Sequence, residues 1–160
     1  MAREIERKFL VASEGWRSAV VSRVDLRDGI IAFRDGRKVR LRFYGDSHAT
    51  LAVKGPRIGM SRDEFEYPIP LEDGRALLTL HCDGPPICKT RHHVEHEGQP
   101  WTVDEYHGAL EGTLIAEIEL PSEETDFARP AWLGAEVTYD RRYRQSALLQ
   151  RHRMVLADSA

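Results

Sequence analysis

Apolar and charged residues alternate one by one through seven short stretches of this chain, the period of a β-strand with two unlike faces. The stretches run from Glu4 to Leu10, Val39 to Phe43, Leu51 to Lys54, Glu64 to Ile69, Ile87 to Arg91, Trp101 to Asp104 and Ile115 to Leu120. Turn chemistry separates several of them, as at Asp35-Gly36, Asp83-Gly84-Pro85-Pro86 and Glu97-Gly98. Helical patterns are fewer. Ser13 is placed to cap a short helix carrying Trp16, Val20 and Val21, and Leu71 to His81 brings Leu77, Leu78 and Leu80 together. Tyr139 to Met154 reads as a last, basic helix with Tyr143, Ala147 and Leu148 on one side. Many strands and few helices predict a β-dominated α+β fold. No repeat, low-complexity segment or Pro/Ser-rich linker divides residues 1–160, which are read as a single domain.

The polar side of the alternation has a particular chemistry. Glu4, Glu6 and Lys8 share one face of the first stretch, with Ile5, Arg7 and Phe9 on the other. Arg40 and Arg42 share a face, backed by Val39, Leu41 and Phe43. Lys54 follows Val53; Glu64 and Glu66 bracket Phe65; Lys89 and Arg91 bracket Thr90. Asp104 follows Val103, and Glu117 and Glu119 bracket Ile118. For any one strand, a solvated outer face with ion pairs worth about 0–1 kcal/mol each accounts for such charges. The set as a whole points elsewhere, because bases pair on one strand and acids on another, whereas a solubilising surface mixes signs. In a closed barrel, interior and exterior alternate along every strand. With the apolar side covered by helices, the charged side lines a lumen, where crowded charges require ligands, counter-ions or metal to offset their desolvation.

Clustered carboxylates are hard oxygen donors suited to Mg²⁺ or Mn²⁺, and clustered Lys and Arg suit phosphate oxygens. A polyphosphate chelated to a divalent metal satisfies both sets, so the charge pattern points to metal-dependent phosphoryl chemistry. Competing motifs are weak. Gly55-Pro56-Arg57-Ile58-Gly59 lacks the Gly-Lys-Ser/Thr ending of a P-loop and reads as a turn. His92, His93 and His96 have irregular spacing for zinc and read as solvent-facing, and Ser146 lacks His and Asp partners. Trp16, Trp101 and Trp132 read as core residues.

Composition narrows the partners. The net charge of −3 lacks the basic excess of an open nucleic-acid binder, so no nucleic acid is expected as a partner. No stretch approaches the roughly 18–20 apolar residues that span a bilayer, and no membrane association is expected. The run Met1-Ala2-Arg3-Glu4-Ile5-Glu6-Arg7-Lys8 has no apolar core of a secretory signal. Cys82 and Cys88 fit no zinc or redox spacing, so reduced thiols and a cytoplasmic location are expected.

Glu4-Ile5-Glu6-Arg7-Lys8 resembles the Glu-x-Glu-x-Lys signature of the CYTH superfamily, the triphosphate tunnel metalloenzymes. Further pieces follow in that family's order: Val39-Arg40-Leu41-Arg42, Val53-Lys54-Gly55, Arg62-Asp63-Glu64-Phe65-Glu66-Tyr67, Lys89-Thr90-Arg91, Val103-Asp104, Ala116-Glu117-Ile118-Glu119-Leu120 and Glu136-Val137-Thr138-Tyr139-Asp140. The resemblance implies a closed eight-stranded antiparallel β-barrel with a few covering helices and a charged tunnel. It implies metal ligation by Glu4, Glu6, Glu117 and Glu119, with Glu64, Glu66 and Asp104 in support. Phosphate falls to Lys8, Arg40, Arg42, Lys54, Lys89 and Arg91, with Arg62 and Arg142 as weaker additions, and catalysis to Lys89, Glu4 and Glu6. Two positions depart from the family pattern. Asp28-Gly29-Ile30-Ile31 places Ile30 where small bacterial relatives often carry a Tyr that works with the tunnel lysine. Tyr143-Arg144-Gln145-Ser146 carries Gln145 where an Asn is familiar, a change read as confined to a helix end.

The activity implied is metal-dependent hydrolysis of a triphosphate, inorganic tripolyphosphate first, with Mg²⁺ or Mn²⁺ as cofactor. The alternatives are a class IV-type adenylate cyclase, a nucleoside or thiamine triphosphatase, and a non-catalytic polyphosphate or nucleotide binder. Cyclisation of ATP differs from hydrolysis in ligand register more than in residue inventory.

Overall fold

All seven alternating stretches form strands, and pairing adds two more. The computed structural model describes residues 3–160. In chain order they form β1 (Arg3–Val11), β2 (Val20–Arg34), β3 (Arg37–Tyr44), β4 (His48–Lys54), β5 (Ser61–Ile69) and α1 (Leu71–His81). There follow β6 (Ile87–His96), β7 (Gln99–Tyr106), β8 (Leu114–Glu119), β9 (Leu133–Glu136) and α2 (Gln145–Asp158). Neighbours run β5-β4-β3-β2-β6-β7-β8-β1, all antiparallel. β1 pairs again with β5 through Arg3↔Asp63, Glu4↔Arg62 and Ile5↔Ser61, which closes eight strands into a barrel. Past that seam β9 pairs with β1 near Phe9 and Val11, outside the closure.

β2 and β9 escape the period-two reading for physical reasons. β2 changes register between Val20 and Ser22 against β6, and between Ile30 and Ala32 against β3. Each such bulge moves the following side chains to the opposite face and breaks the alternation at the two ends of β2, while Ser22 to Ile30 keeps it, with Val24, Leu26, Asp28 and Ile30 on one face. β9 is four residues long, too short to show a period. Two helix expectations are corrected. Glu14–Ala19 is a 3₁₀ turn without a side-chain cap from Ser13, and Val20 and Val21 begin β2. Residues 139–144 hold a 3₁₀ turn at Arg141–Tyr143, with Asp140 accepting from the Arg142 N–H, and α2 runs from Gln145 to Asp158. His92 is also corrected: it is buried edge-on against Trp16, with Nε2 3.0 Å from Glu105.

The apolar face lies outside the barrel wall and is covered from beyond it. Ile5, Phe9, Val94, Trp101, Val103, Ala116 and Ile118 form one cluster, covered by Trp16 and by Leu120, Phe127 and Trp132. Leu41, Phe43 and Ala49 form a second, covered by Leu71, Leu77 and Leu78 of α1. A third cluster occupies one end of the lumen: Ile30, Ile87, Tyr106 and Ile115 meet Leu148 and Leu149 of α2. The wall is thus inverted relative to a small soluble barrel with a greasy centre, and one end of its lumen is stopped by apolar packing. Among the described residues no helix is long and apolar enough to cross a membrane. Cys82 and Cys88 are free thiols.

Two glycines permit the close approach of α1. A Cβ on Gly29 would stand 2.8 Å from Cys82 Sγ, and one on Gly74 3.1 Å from Ala49 Cβ and 3.2 Å from the Phe43 ring. Gly74→Leu is expected to lower stability by about 1–3 kcal/mol in urea titrations, overpacking outweighing the gain in helix propensity. An unchanged midpoint would show that α1 does not pack this tightly on β3 and β4.

Candidate active site

Alternation along the strands decides what faces the lumen. β1 contributes Glu4, Glu6 and Lys8; β3 contributes Lys38, Arg40 and Arg42; β6 contributes Lys89 and Arg91; β8 contributes Glu117 and Glu119. Together with Lys54, Glu64 and Glu66 they line one cavity of about 650 Å³. Asp104 stands beneath it, fully enclosed, and Arg142 lies outside, exposed and paired with Asp140.

The deepest layer is a set of bases held by two enclosed aspartates. Arg42 donates Nε and Nη2 to Asp28 at 2.6 and 2.7 Å. Arg91 donates to both oxygens of Asp104 at 2.7 Å, and Lys89 donates to Asp104 at 2.6 Å with Asp28 3.6 Å away. Burial works to raise both aspartate pKa values, but Arg42 and Lys89 around Asp28, and Arg91 and Lys89 around Asp104, hold them well below the usual carboxylate range. For Lys89 burial outweighs its two aspartates, and its pKa falls below 10.5. These pairs fix three cationic heads against the cavity at the cost of desolvation already incurred by folding.

Nearer the β1–β5 seam the carboxylates line the cavity themselves. Lys54 bridges Glu64 at 2.5 Å and Glu4 at 3.1 Å, while Arg62 also holds Glu4. Glu6 receives Arg57, Arg62 and Lys8, and Lys8 also pairs with Glu117. Burial works against the charge of Glu6, yet Lys8, Arg62 and Arg57 together hold its pKa at about 2. Lys54 moves the other way: burial, with Arg40 and Arg62 beside it, lowers it to about 8 despite Glu4 and Glu64. Arg40 donates to Glu66 at 2.8 Å. Glu119 is exposed and pairs with no base among the described residues. It sits directly across from Glu6, and its pKa is raised by burial and by Glu4 and Glu6.

Four lumen groups were missed by the sequence reading. Lys38 has the same parity as Arg40 and Arg42, so alternation extended by two residues would have included it. Tyr106 likewise continues the parity of Asp104, and its ring lies 5.2 Å below Lys89 Nζ. Asp28 shares a face with Val24, Leu26 and Ile30 in the unbulged part of β2, so alternation read there would have included it, whereas Arg57 lies in a turn that carries no period. Gln145 is a correction: its side chain is no helix-end substitute but reaches into the lumen, bonding Lys38 and Asp28. Ile30 belongs to the apolar stopper with Tyr106 and Leu148.

A family model described as the CYTH domain matches residues 2–154. A curated inorganic triphosphatase of Acetivibrio thermocellus is 43% identical over 150 residues, covering 94% of this chain and 95% of that protein. The inorganic triphosphatase of Nitrosomonas europaea is 35% identical over 150 residues, covering 91% and 95%. A crystal structure of an inorganic triphosphatase superposes with a TM-score of 0.66 at 32% identity, over 92% of this chain and 95% of that one. A putative adenylyl cyclase from Hippeastrum, described as having a dominant triphosphatase activity, shares the fold at 15% identity and a TM-score of 0.60, over 74% and 80%.

The two enclosed aspartates set the acid stability. Their folded-state pKa values lie below the unfolded value of 3.8, so their contribution is present above that value and is lost as pH falls through the folded ones. Unfolding free energy is expected to decline between about pH 5 and pH 1. Asp104→Asn is expected to cost about 3–5 kcal/mol at pH 7 by leaving Lys89 and Arg91 short of a counter-charge, and to flatten that decline. Denaturant titrations at several pH values check both; a variant with the wild-type profile would remove Asp104 from this role.

Proposed function

Because the chain belongs to the CYTH domain family, we propose that it hydrolyses a linear triphosphate, inorganic tripolyphosphate, to pyrophosphate and orthophosphate within the barrel. One observation carries the reading. Bases from β1, β3, β4 and β6 and carboxylates from β1, β5 and β8 converge on a single cavity whose inner end is apolar and stopped. A short, flexible, highly charged chain satisfies such a lining.

Lys8, Arg40, Arg42, Lys54, Lys89 and Arg91 bind phosphoryl oxygens in this reading, Arg in a two-pronged manner and Lys as a point charge. Arg42, Lys89 and Arg91 are the fixed subset, because Asp28 and Asp104 hold them in place before substrate arrives. Preorganised cations of this kind oppose the charge that grows on the transferred phosphoryl group and the departing pyrophosphate as water attacks the terminal phosphorus. Lys89 has the central place, between both aspartates and over the Tyr106 ring.

The donor chemistry fits a divalent ion such as Mg²⁺ or Mn²⁺ at the β1–β8 side. Like charges directly opposite destabilise a sheet, and Glu6 faces Glu119, on which no base stands among the described residues. Among the described residues no three acids stand converged on one point, since Glu4, Glu6 and Glu117 are turned to Lys8, Arg57, Arg62, Lys54 and Arg91. Glu4, Glu6, Glu117 and Glu119 would hold the ion once those bases turn to phosphate, with Glu64 and Glu66 available on β5. When bound, the ion supplies Lewis-acid charge that offsets the phosphate oxygens near these carboxylates. Asp104 stays with Lys89 and Arg91. The free thiols support a reducing compartment, the cytoplasm.

Purified protein incubated with tripolyphosphate or ATP, each with Mg²⁺, Mn²⁺ or EDTA, is expected to release orthophosphate and pyrophosphate from tripolyphosphate only with metal. Cyclic AMP from ATP as the principal product would make it a cyclase, and no product from either would make it a binding protein. Lys89→Met is expected to lower kcat by about 10²-fold or more. Glu119→Gln, at an exposed position, is expected to fold normally and require more metal for half-maximal rate; an unchanged metal requirement would exclude Glu119 from ligation.

A further inference from the structure

Lys38 has no counter-charge among the described residues. It points inward from β3 in line with Arg40 and Arg42 and directly opposes Lys54 on β4. The assigned bases all have carboxylates: Lys8 has Glu117, Arg40 has Glu66, Arg42 has Asp28, Lys54 has Glu64, and Lys89 and Arg91 share Asp104. Lys38 has a neutral amide. Its Nζ donates to Gln145 Oε1 at 2.8 Å, and no carboxylate pairs with it among the described residues. The amide is fixed from its other end, because Gln145 Nε2 donates at 3.0 Å to Asp28, which as a carboxylate only accepts. The oxygen is thereby held toward Lys38, and the ammonium stays aimed into the cavity.

The charged groups that act most strongly on Lys38 are cations. Lys54 faces it from β4, Arg62 from β5, Lys8 from β1 and Arg40 from its own strand, while Gln145 of α2 is neutral and Phe33 of β2 is apolar. Burial first, and then these four cations, lower its proton affinity well below that of a free lysine. A lysine directly opposite another lysine weakens a sheet, so an apolar residue would serve the fold by itself better. A multiply charged anion lodged among Lys38, Arg40 and Lys54 reverses the balance, since each repelling head becomes a donor to the same oxygens.

We propose that Lys38, aimed by Gln145, is a further binding side chain for a phosphoryl group of a linear polyphosphate, engaged when the anionic chain enters the lumen. This rests on the triphosphate reading above. It adds a third base to the β3 row and gives α2 a part in substrate binding, so the helix that stops the lumen also positions a substrate contact.

The test compares wild type, Lys38→Met and Lys38→Arg by calorimetric titration with tripolyphosphate in EDTA, and by phosphate release with Mg²⁺. Lys38→Met is expected to bind at least about tenfold more weakly, the worth of one charge-assisted contact. It should raise KM with little change in kcat, and melt no lower than wild type because a like-charged neighbour is gone. Lys38→Arg is expected to recover most of the affinity. Binding by Lys38→Met within twofold of wild type overturns the assignment, as does an Arg variant no better than the Met variant. Wild type that releases phosphate while Lys38→Met binds normally overturns the role of Lys38 alone. Wild type that binds tripolyphosphate and releases no phosphate overturns the hydrolase reading alone, while weaker binding by Lys38→Met would still support the contact.

Discussion

The seam between β1 and β5 is three residue pairs long, and the chemistry of the interior depends on it. Until it forms, the charged faces of the sheet are solvated and repel or attract one another weakly. Once Glu4 comes opposite Arg62, the same faces line an enclosed space in which every charge needs an answer. β1 carries this duty because three strands pair with it: β8 on one side, and β5 followed by β9 on the other. Its alternation therefore delivers Glu4, Glu6 and Lys8 to the junction of the two carboxylate-bearing walls.

Inside, the charges are answered in two ways. At depth, Asp28 and Asp104 are wholly enclosed and hold Arg42, Lys89 and Arg91 rigidly. Toward the seam, acids and bases that both line the cavity hold one another through exchangeable contacts, as Lys54 does with Glu4 and Glu64. The first arrangement supplies fixed positive charge for a transition state. The second can be rearranged when phosphate takes the bases and a cation takes the acids. Among the described residues Glu119 and Lys38 are left over on opposite sides of this balance, an acid without a base and a base without an acid.

α2 links the stopper to the site. Leu148 and Leu149 pack on Ile30, Ile87, Tyr106 and Ile115, while Gln145 at its start joins Lys38 to Asp28. Ile30 and Gln145 thus fall in one neighbourhood: Ile30 belongs to the apolar end, and Gln145 extends an amide to the third base of β3. The outer wall carries none of this chemistry. Its task is to bury Phe9, Trp101 and Trp132 beneath Trp16 and Phe127, and Leu41 and Phe43 beneath α1.

Alternation is a consequence of covalent geometry, since successive side chains leave a strand on opposite sides whatever the strand later meets. The sequence by itself therefore determined which residues share a face, and the inward set from Glu4 to Glu119, Asp104 apart, lines one cavity as that parity requires. The ordered motifs determined the family in the same local way. Asp28 is a lone charge among Val24, Leu26 and Ile30 on its face of β2, so parity alone did not mark that face as charged, and a turn residue such as Arg57 has no parity to read. Which acid meets which base was decided only by the tertiary structure, because it depends on strand register around a closed ring and on helices packed across it. That is why Asp104 lies beneath the bases, Gln145 enters the lumen, and Lys38 and Glu119 stand without opposite charges among the described residues: each is a relation between separate elements, and no single strand contains it.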